Sequence, residues 1–484
     1  MFVETLNGLK ASGRPLMVHL WRKYVLVPIG TLLMMLLLYG INEIIKKTTV
    51  NFPASVCLML LMYGGLSLNS WLFGEHRTDI FLKYVDIPCG FALRWMNLYF
   101  TPPFVTLVLS DKVSVAEAFT IMAVYIVGYI FTFGFMAYFT WGLQLLLGTY
   151  KLHAKQDEKD EESQIPESSE QDEVNDNASK QSSNTIKEET TWEDKVRDFV
   201  LEWIDFFIYG LLFIAGIPVY FVTGYEMPVQ LATAVLLFKA CLFIPAKLRR
   251  VLHPILISFA LCLLVYYILS LIKGQNYFTC IRHYRTGRTY LTLFDSEAYP
   301  EWPGAGDFLL SLMDISIVSL SLSMYKYRGD LKRHFASVLP PIILCAFMSF
   351  FIYPPVCYRL GISPARSLGF TGRSVTTALG IPLVTALGGS TQLMAVTTII
   401  SGILGVLVGD FLVFKVFRVR KHDFVSRGVS FGLNCGAVST YYLTVVDPPA
   451  GAMSALCFTF FGTLMVILSA IDPLVRIAQK LVGW

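Results

Sequence analysis

Charge is scarce in this chain. Only 15% of its 484 residues are Asp, Glu, Lys or Arg, where a soluble domain carries about a quarter. Catalytic signatures are missing as well. There is no HExxH, GxSxG or Walker A motif, and the seven histidines stand isolated. No enzyme activity, cofactor or metal site is therefore expected. The nine cysteines form no CxxC and no paired spacing, which argues against a disulfide scaffold. Cys57, Cys241, Cys262, Cys345 and Cys457 fall inside apolar runs and read as small core residues. Segments of alternating apolar and polar residues, the mark of a membrane β-barrel, are lacking too.

What the chain has is apolar length. Hydrophobic residues make up 55% of it, and mean hydropathy is +0.57. Runs such as "VLVPIGTLLMMLLLYGI" (25–41), "FTIMAVYIVGYIFTFGFMAYF" (119–139) and "MAVTTIISGILGVLVGDFLVF" (394–414) approach the ~20 residues that cross a bilayer as helix. Lipid cannot hydrogen-bond a loose backbone, so these runs are helices. The expectation is an all-α polytopic membrane protein of about 12 spans.

Helices are expected at about 24–45, 52–73, 87–109, 117–147, 199–222, 229–246, 251–272, 308–325, 335–358, 374–388, 390–414, 429–446 and 450–474. The N-terminal "MFVETLNGLKASGRPLMVHLWRK" is basic and runs into a full-length apolar segment, which reads as an uncleaved first helix. Residues 149–198 change character, being acidic and nearly without apolar residues, and so read as a disordered linker. Within it Ser169 is a candidate phosphosite, and Asn177 begins a sequon expected to be silent.

With the N-terminus in the cytosol, five basic clusters also fall inside: Arg77/Lys83, Lys247/Arg249/Arg250, Lys326/Arg328/Lys332/Arg333, Arg418/Arg420/Lys421/Arg427 and Arg476/Lys480. Both termini and the linker are then cytosolic. The loop 273–306 falls outside, and its length lets it cross regardless of charge. The basic clusters serve topology, so no nucleic-acid partner is expected. The lipid bilayer is the expected surrounding, and self-association into a homo-oligomer is left open.

Two segments do not fit the pattern of full spans. "RSVTTALGIPLVTALGGSTQ" (373–392) holds an arginine, six Ser or Thr residues, three glycines and a proline between apolar runs. A helix over 374–388 would rise about 22 Å, short of a core of about 30 Å. "RGVSFGLNCGAVST" (427–440) has glycines at 428, 432 and 436 together with Ser430, Asn434, Ser439 and Thr440. These suit close helix approach and local unwinding. Both segments read as broken or half-helices. Polar groups at membrane depth are expensive and mark binding sites or pathways. Arg373 with Ser374, Thr376 and Thr377 opens the first segment, where free N–H groups and a guanidinium suit a carboxylate. The competing reading is an interfacial cap with Arg373 snorkelling to headgroups.

Three further residues are candidates for coupling or an ion pair. Lys239 sits mid-run and reads as a structural ion pair with a carboxylate such as Asp314, or as a contact to substrate charge. Asp314 is a candidate for proton coupling or a packing hydrogen bond. His253, before a helix-opening proline, reads first as an interfacial structural residue and second as a proton relay. "FTPPF" (100–104) is expected to break the third helix as a kink.

At these residues the chain resembles a known family. "MNLYFTPPFVTLVLS" (96–110), among four helices, resembles LrgA/CidA-type membrane proteins. From residue 199 onward the chain resembles LrgB/CidB, on "AKLRRVLHPILISF" (246–259), "PGAGDFLLSLMDISIVSLSLSMYKYRGDLKRH" (303–334), "GRSVTTALGIPLVTALGG" (372–389), "TTIISGILGVLVG" (397–409) and "RGVSFGLNCGAVST". Two such parts in one chain are similar to the plant plastidal glycolate/glycerate translocator type, and the want of a visible plastid transit peptide suggests a fungal relative. The resemblance implies an LrgA-like region over 1–148 and an LrgB-like, inverted-repeat transport domain over 199–484. It also implies export or exchange of small organic anions, with a holin-like pore or pore regulator as the alternative. Arg373, Ser374, Val375, Thr376 and Thr377 match the family's Arg/Lys-Ser-Val-Thr-Thr element. Two positions depart from it: Gly372 stands where the family often has proline, and Gly436 where it usually has histidine.

The reading that follows is a carrier of small monocarboxylates such as 2-hydroxy acids, driven by protons or exchange. Substrate would contact Arg373, Ser374, Thr376, Thr377, Asn434, Ser439 and Thr440.

Overall fold

In the computed structural model the described residues are 17–18, 20–48, 53–109, 113–149, 192–245, 254–293, 301–420 and 422–484, of which 192–198, 201–202, 377 and 378 are described in backbone only. Most of the acidic linker, with Ser169 and Asn177, lies outside them, as do His253 and the cluster Lys247/Arg249/Arg250. The helices are α1 (Arg22–Lys46), α2 (Ala54–Phe73), α3 (Glu75–Tyr99), α4 (Val115–Leu146), α5 (Trp192–Thr223), α6 (Met227–Leu242), α7 (Pro254–Lys273), α8 (Tyr277–Tyr284), α9 (Ala305–Lys326), α10 (Arg328–Arg359), α11 (Thr377–Ala386), α12 (Thr391–Gly409), α13 (Phe424–Val446), α14 (Pro448–Ser469) and α15 (Asp472–Leu481). Among the described residues there is no strand. The protein is an all-α polytopic membrane protein. Ten of these helices are long and apolar enough to cross a membrane. The expected count was about 12; of the remaining helices, α3 is long but charged and α6 has only 16 residues.

Several boundaries differ from expectation. The third helix begins at Glu75 instead of 87, so Arg77 and Lys83 lie on a helix and not in a loop. Hydropathy marks only the stretch of a helix that suits lipid, and "EHRTDIFLKYVD" continues the same helix with polar side chains. The "FTPPF" break is present: α3 ends at Tyr99 and a new helical turn, Thr101–Val105, starts with its prolines in the first turn, where their missing N–H groups cost nothing. The loop after α7 contains α8, capped by the Asn276 side chain. The strongly amphipathic α15 follows the last span; its polar face hid it from a search for apolar runs.

The chain forms two compact units. The first gathers α3, α5, α6, α7, α8, most of α1 and the start of α9. In it Gly30 of α1 meets Pro88 of α3, and Gly216 of α5 meets the backbone at Val229 of α6; a Cβ at either glycine would stand within 2.8 Å of those atoms. The buried carboxylate of Asp307, in the first turn of α9, accepts from the backbone N–H groups of Thr286, Gly287 and Gly304 and so shapes the loop after α8.

The second unit gathers α2, α4, the rest of α9, and α10 to α15. Its centre is the α13–α14 hairpin, whose turn residue Asp447 caps α14. Gly428 and Gly432 let α13 lie directly on α14: a methyl at either would meet the Ala450 or Ser454 carbonyl oxygen at 2.5 or 2.6 Å. The apolar core around them includes Tyr125, Tyr129 and Phe133 of α4, Tyr353 of α10, and Phe431 and Leu443 of α13.

Candidate functional site

The site grows out of two breaks in the second unit. Residues 370–372 form a single 3-10 turn, and Arg373 caps it with its N–H on the Phe370 carbonyl. The chain then turns through Ser374–Thr376 before α11 starts at Thr377 and runs for only ten residues. The loose carbonyls of this turn are answered by hydroxyls of α12. Thr398 donates to the Gly372 oxygen at 2.9 Å and Ser401 to the Arg373 oxygen at 3.2 Å. Ser401 in turn lies 2.8 Å from the Tyr125 hydroxyl of α4.

The second break is at Gly436. Its φ of 62° and ψ of −149° interrupt α13, in a region of backbone space that is essentially glycine-only. The expected short segment over 429–446 is thus a 23-residue helix broken in its middle. The break faces the first one, since a Cβ at Gly436 would lie 3.5 Å from the Ser374 carbonyl oxygen. Two interruptions of helical hydrogen bonding therefore meet at one place.

Arg373 is only 2% exposed. Its Nη2 donates to the Thr132 hydroxyl at 2.6 Å and to Asn434 Oδ1 at 3.3 Å, and its guanidinium lies 4.8 Å from the centre of the Tyr353 ring. Thr132 donates to Asn434 Oδ1 at 2.6 Å, and the Asn434 amide donates to the Ser430 carbonyl. Arg373 Nη1 is buried and finds no hydrogen-bond partner among the described residues, and the same holds for the Tyr353 hydroxyl and for Thr371 and Thr376 Oγ1. The other arginines that this unit holds against acids are different. Arg427 is gripped by Asp410 and Asp447, and Arg366 pairs with Glu117. Among the described residues Arg373 is held by neutral oxygens and an aromatic face alone. A buried cation without a counter-charge is costly in a low-dielectric interior. What the arrangement can do chemically is accept an anion, and a planar guanidinium suits a carboxylate.

The structure brings Arg373 and Asn434 into contact. It sets Ser374 against the Gly436 break through its carbonyl, and it places Thr376 as the cap residue of α11. Thr377 begins α11. Ser439 is buried, with no partner for its hydroxyl among the described residues. Thr440 turns to the Gly436 carbonyl and to Ser454 of α14, at 2.8 and 2.6 Å. Lys239 and Asp314 both lie in the first unit and do not pair with each other. Lys239 pairs with Asp205 at 2.6 Å, and Asp314 accepts from the Tyr290 hydroxyl at 3.0 Å. Asp205, in "VLEWIDFFIYG", was not among the residues that the sequence singled out.

Thr132, Tyr125 and Tyr353 were not anticipated. All three sit in runs read simply as apolar spans. A signal was there for α4: Tyr125, Tyr129, Thr132, Met136 and Thr140 recur at three- and four-residue spacing, and all are buried.

Residues 234–473 match the model of the LrgB-like family. Over 252 residues, 52% of this chain and 46% of the relative, the chain is 24% identical to the plastidal glycolate/glycerate translocator 1 of Arabidopsis thaliana, so it spans about half the length of that relative. Over 170 residues, 35% of this chain, it is 21% identical to the antiholin-like protein LrgB of Bacillus subtilis and 22% identical to the holin-like protein CidB of Staphylococcus aureus, covering 72% and 73% of those proteins. No solved structure matches the chain.

Proposed function

We propose, from the match of residues 234–473 to the LrgB-like family model, that the protein is a carrier of small monocarboxylates, with Arg373 receiving the carboxylate. At the coarser level the protein is a multi-pass membrane protein whose relatives are transporters or holin-like proteins. The carrier reading rests chiefly on one observation: a nearly fully buried arginine whose contacts among the described residues are neutral and whose Nη1 has no partner among them. A carboxylate there would accept from Nη1, while Thr132 and Asn434 keep their hold on Nη2. Tyr353, packed on the guanidinium face, would hold the fork in plane.

The printed name of the Arabidopsis relative makes glycolate and glycerate the first substrates to try, with pyruvate-like acids next. Ser374, Thr376, Thr377, Ser439 and Thr440 are assigned to the surroundings of that site, and proton coupling or exchange to the driving force. In this reading residues 1–148 form an LrgA-like region, 149–198 a cytosolic linker and 199–484 the transport domain, with both termini cytosolic. Glycosylation of Asn177 in cells would contradict that orientation.

A holin-like pore is the alternative suggested by the names of the bacterial relatives. An enclosed cation favours a carrier, because a pore needs a wide wet lumen. The deciding measurement is uptake of labelled glycolate and D- and L-glycerate into proteoliposomes. A carrier saturates, discriminates between the enantiomers and exchanges internal for external substrate. Uptake linear in concentration and blind to stereochemistry would make the protein a pore.

A further inference from the structure

The first unit contains a cavity of about 360 Å³ bordered by α1, α3, α5, α6 and α9. That volume lies within the range of small-molecule sites. Its walls are aromatic and aliphatic, with Phe91, Trp95, Tyr99, Tyr209, Leu231 and Phe308 among them, and among the described residues Lys23 is the one ammonium that lines it. Among the described residues, Lys23 belongs to a buried cluster with an excess of positive charge. Lys23 and Lys239 both bond Oδ2 of Asp205, while the Tyr24 hydroxyl donates to Oδ1 at 2.6 Å. One carboxylate thus meets two ammonium groups. Neither Asp205 nor Lys239 lines the cavity, so the excess charge is presented to it by Lys23.

An ammonium carries three donors, and one of those on Lys23 is given to Asp205. In an interior of low dielectric, a cluster of two cations and one anion gains from a second anion. The apolar walls would not solvate a small, fully hydrated ion, and a single lining cation would not balance a polyanion. We propose that this cavity binds an amphipathic monoanion, a single carboxylate or phosphodiester head on an apolar chain, with the head on Lys23 and the chain along the aromatic wall. The ligand could be supplied as a free fatty acid or as an anionic phospholipid of the membrane. This site shares no residue with the one around Arg373, so the two stand or fall separately.

The test uses the purified full-length chain in neutral detergent micelles. The probes are dibrominated stearate, dibrominated phosphatidylglycerol, and as neutral controls dibrominated stearyl alcohol and phosphatidylcholine. Bromine quenches nearby tryptophan, and Trp95 is in the wall. The expected result is saturable quenching by one or both anionic probes that is lost in Trp95→Phe. Stearate alone would identify a free fatty acid and phosphatidylglycerol alone a membrane lipid. Lys23→Gln should weaken the binding by about tenfold or more, the range for losing a charged hydrogen bond, while Lys23→Arg should keep it. Lys23→Gln leaves Lys239 and Asp205 as a neutral pair, so it does not strand a buried charge, and an unchanged melting temperature verifies the fold. The proposal is overturned if the neutral probes quench Trp95 at the same concentrations, if Lys23→Gln binds like the parent, or if no Trp95-dependent quenching saturates.

Discussion

The Thr132 hydroxyl stands 2.6 Å from Asn434 Oδ1, and both lie against Arg373. One comes from α4, ahead of the acidic segment, and the other from α13, just before its break. A cation at the centre of the second unit is therefore positioned by helices some 300 residues apart in sequence, 302 for this pair.

If Arg373 receives a carboxylate, Arg373→Ala should weaken substrate half-saturation roughly 10- to 150-fold, the equivalent of the 1.5–3 kcal/mol carried by hydrogen bonds to charged groups. Arg373→Lys keeps the charge but loses the planar fork and should fall between Ala and the parent. Thr376→Val should cost less than either. The readout is transport by variants of intact expression and thermal stability. Parent-like uptake by Arg373→Ala would remove the carboxylate site from consideration.

Thr132→Val keeps shape and loses the hydroxyl that links Arg373 Nη2 to Asn434. Losing one partner of a buried, charged donor costs about 1–3 kcal/mol, so affinity should fall about 5- to 150-fold. The additional variant Asn434→Ala should then add less than its own separate effect, because both act on one nitrogen. Strict additivity in this double-mutant cycle would show that the two do not act through Arg373.

Gly436→Ala places a side chain in a region that only glycine adopts readily, at about 1–3 kcal/mol of strain. The expected outcome is a lower melting temperature in detergent together with impaired transport. Gly142→Ala, where a Cβ meets nothing within 4 Å, is the control and should leave both unchanged. A parent-like Gly436→Ala would mean the break is not required.

Most spans could be read from the sequence because lipid imposes one rule on each of them, about 20 apolar residues in helix. Both interrupted segments were legible for a related reason: polar and glycine-rich stretches conflict with that rule, and at 374–388 and 429–446 the conflict marks real breaks at residues 373–376 and at Gly436. Contacts were harder to foresee. Lys239 was matched to Asp314, whereas Asp205 holds it, because pairing depends on which helices adjoin and the one-dimensional pattern does not encode that. Thr132 escaped for the same reason. A threonine in a membrane helix can bond its own preceding turn, as Thr132 also does with the Gly128 carbonyl at 2.7 Å, so the stripe from Tyr125 to Thr140 marks a buried face without naming the partner of Thr132.

The Thr132–Arg373 contact joins residues on either side of the segment 150–191. Were α4 a separate protein, the hydroxyl that steadies Arg373 would be supplied by a bimolecular encounter, subject to dilution in the membrane. Tethering turns that encounter into an intramolecular one and fixes the ratio at one α4 for every α13. Cut within residues 150–191, the protein should acquire an activity that depends on the membrane density of the two pieces, which the intact chain does not have.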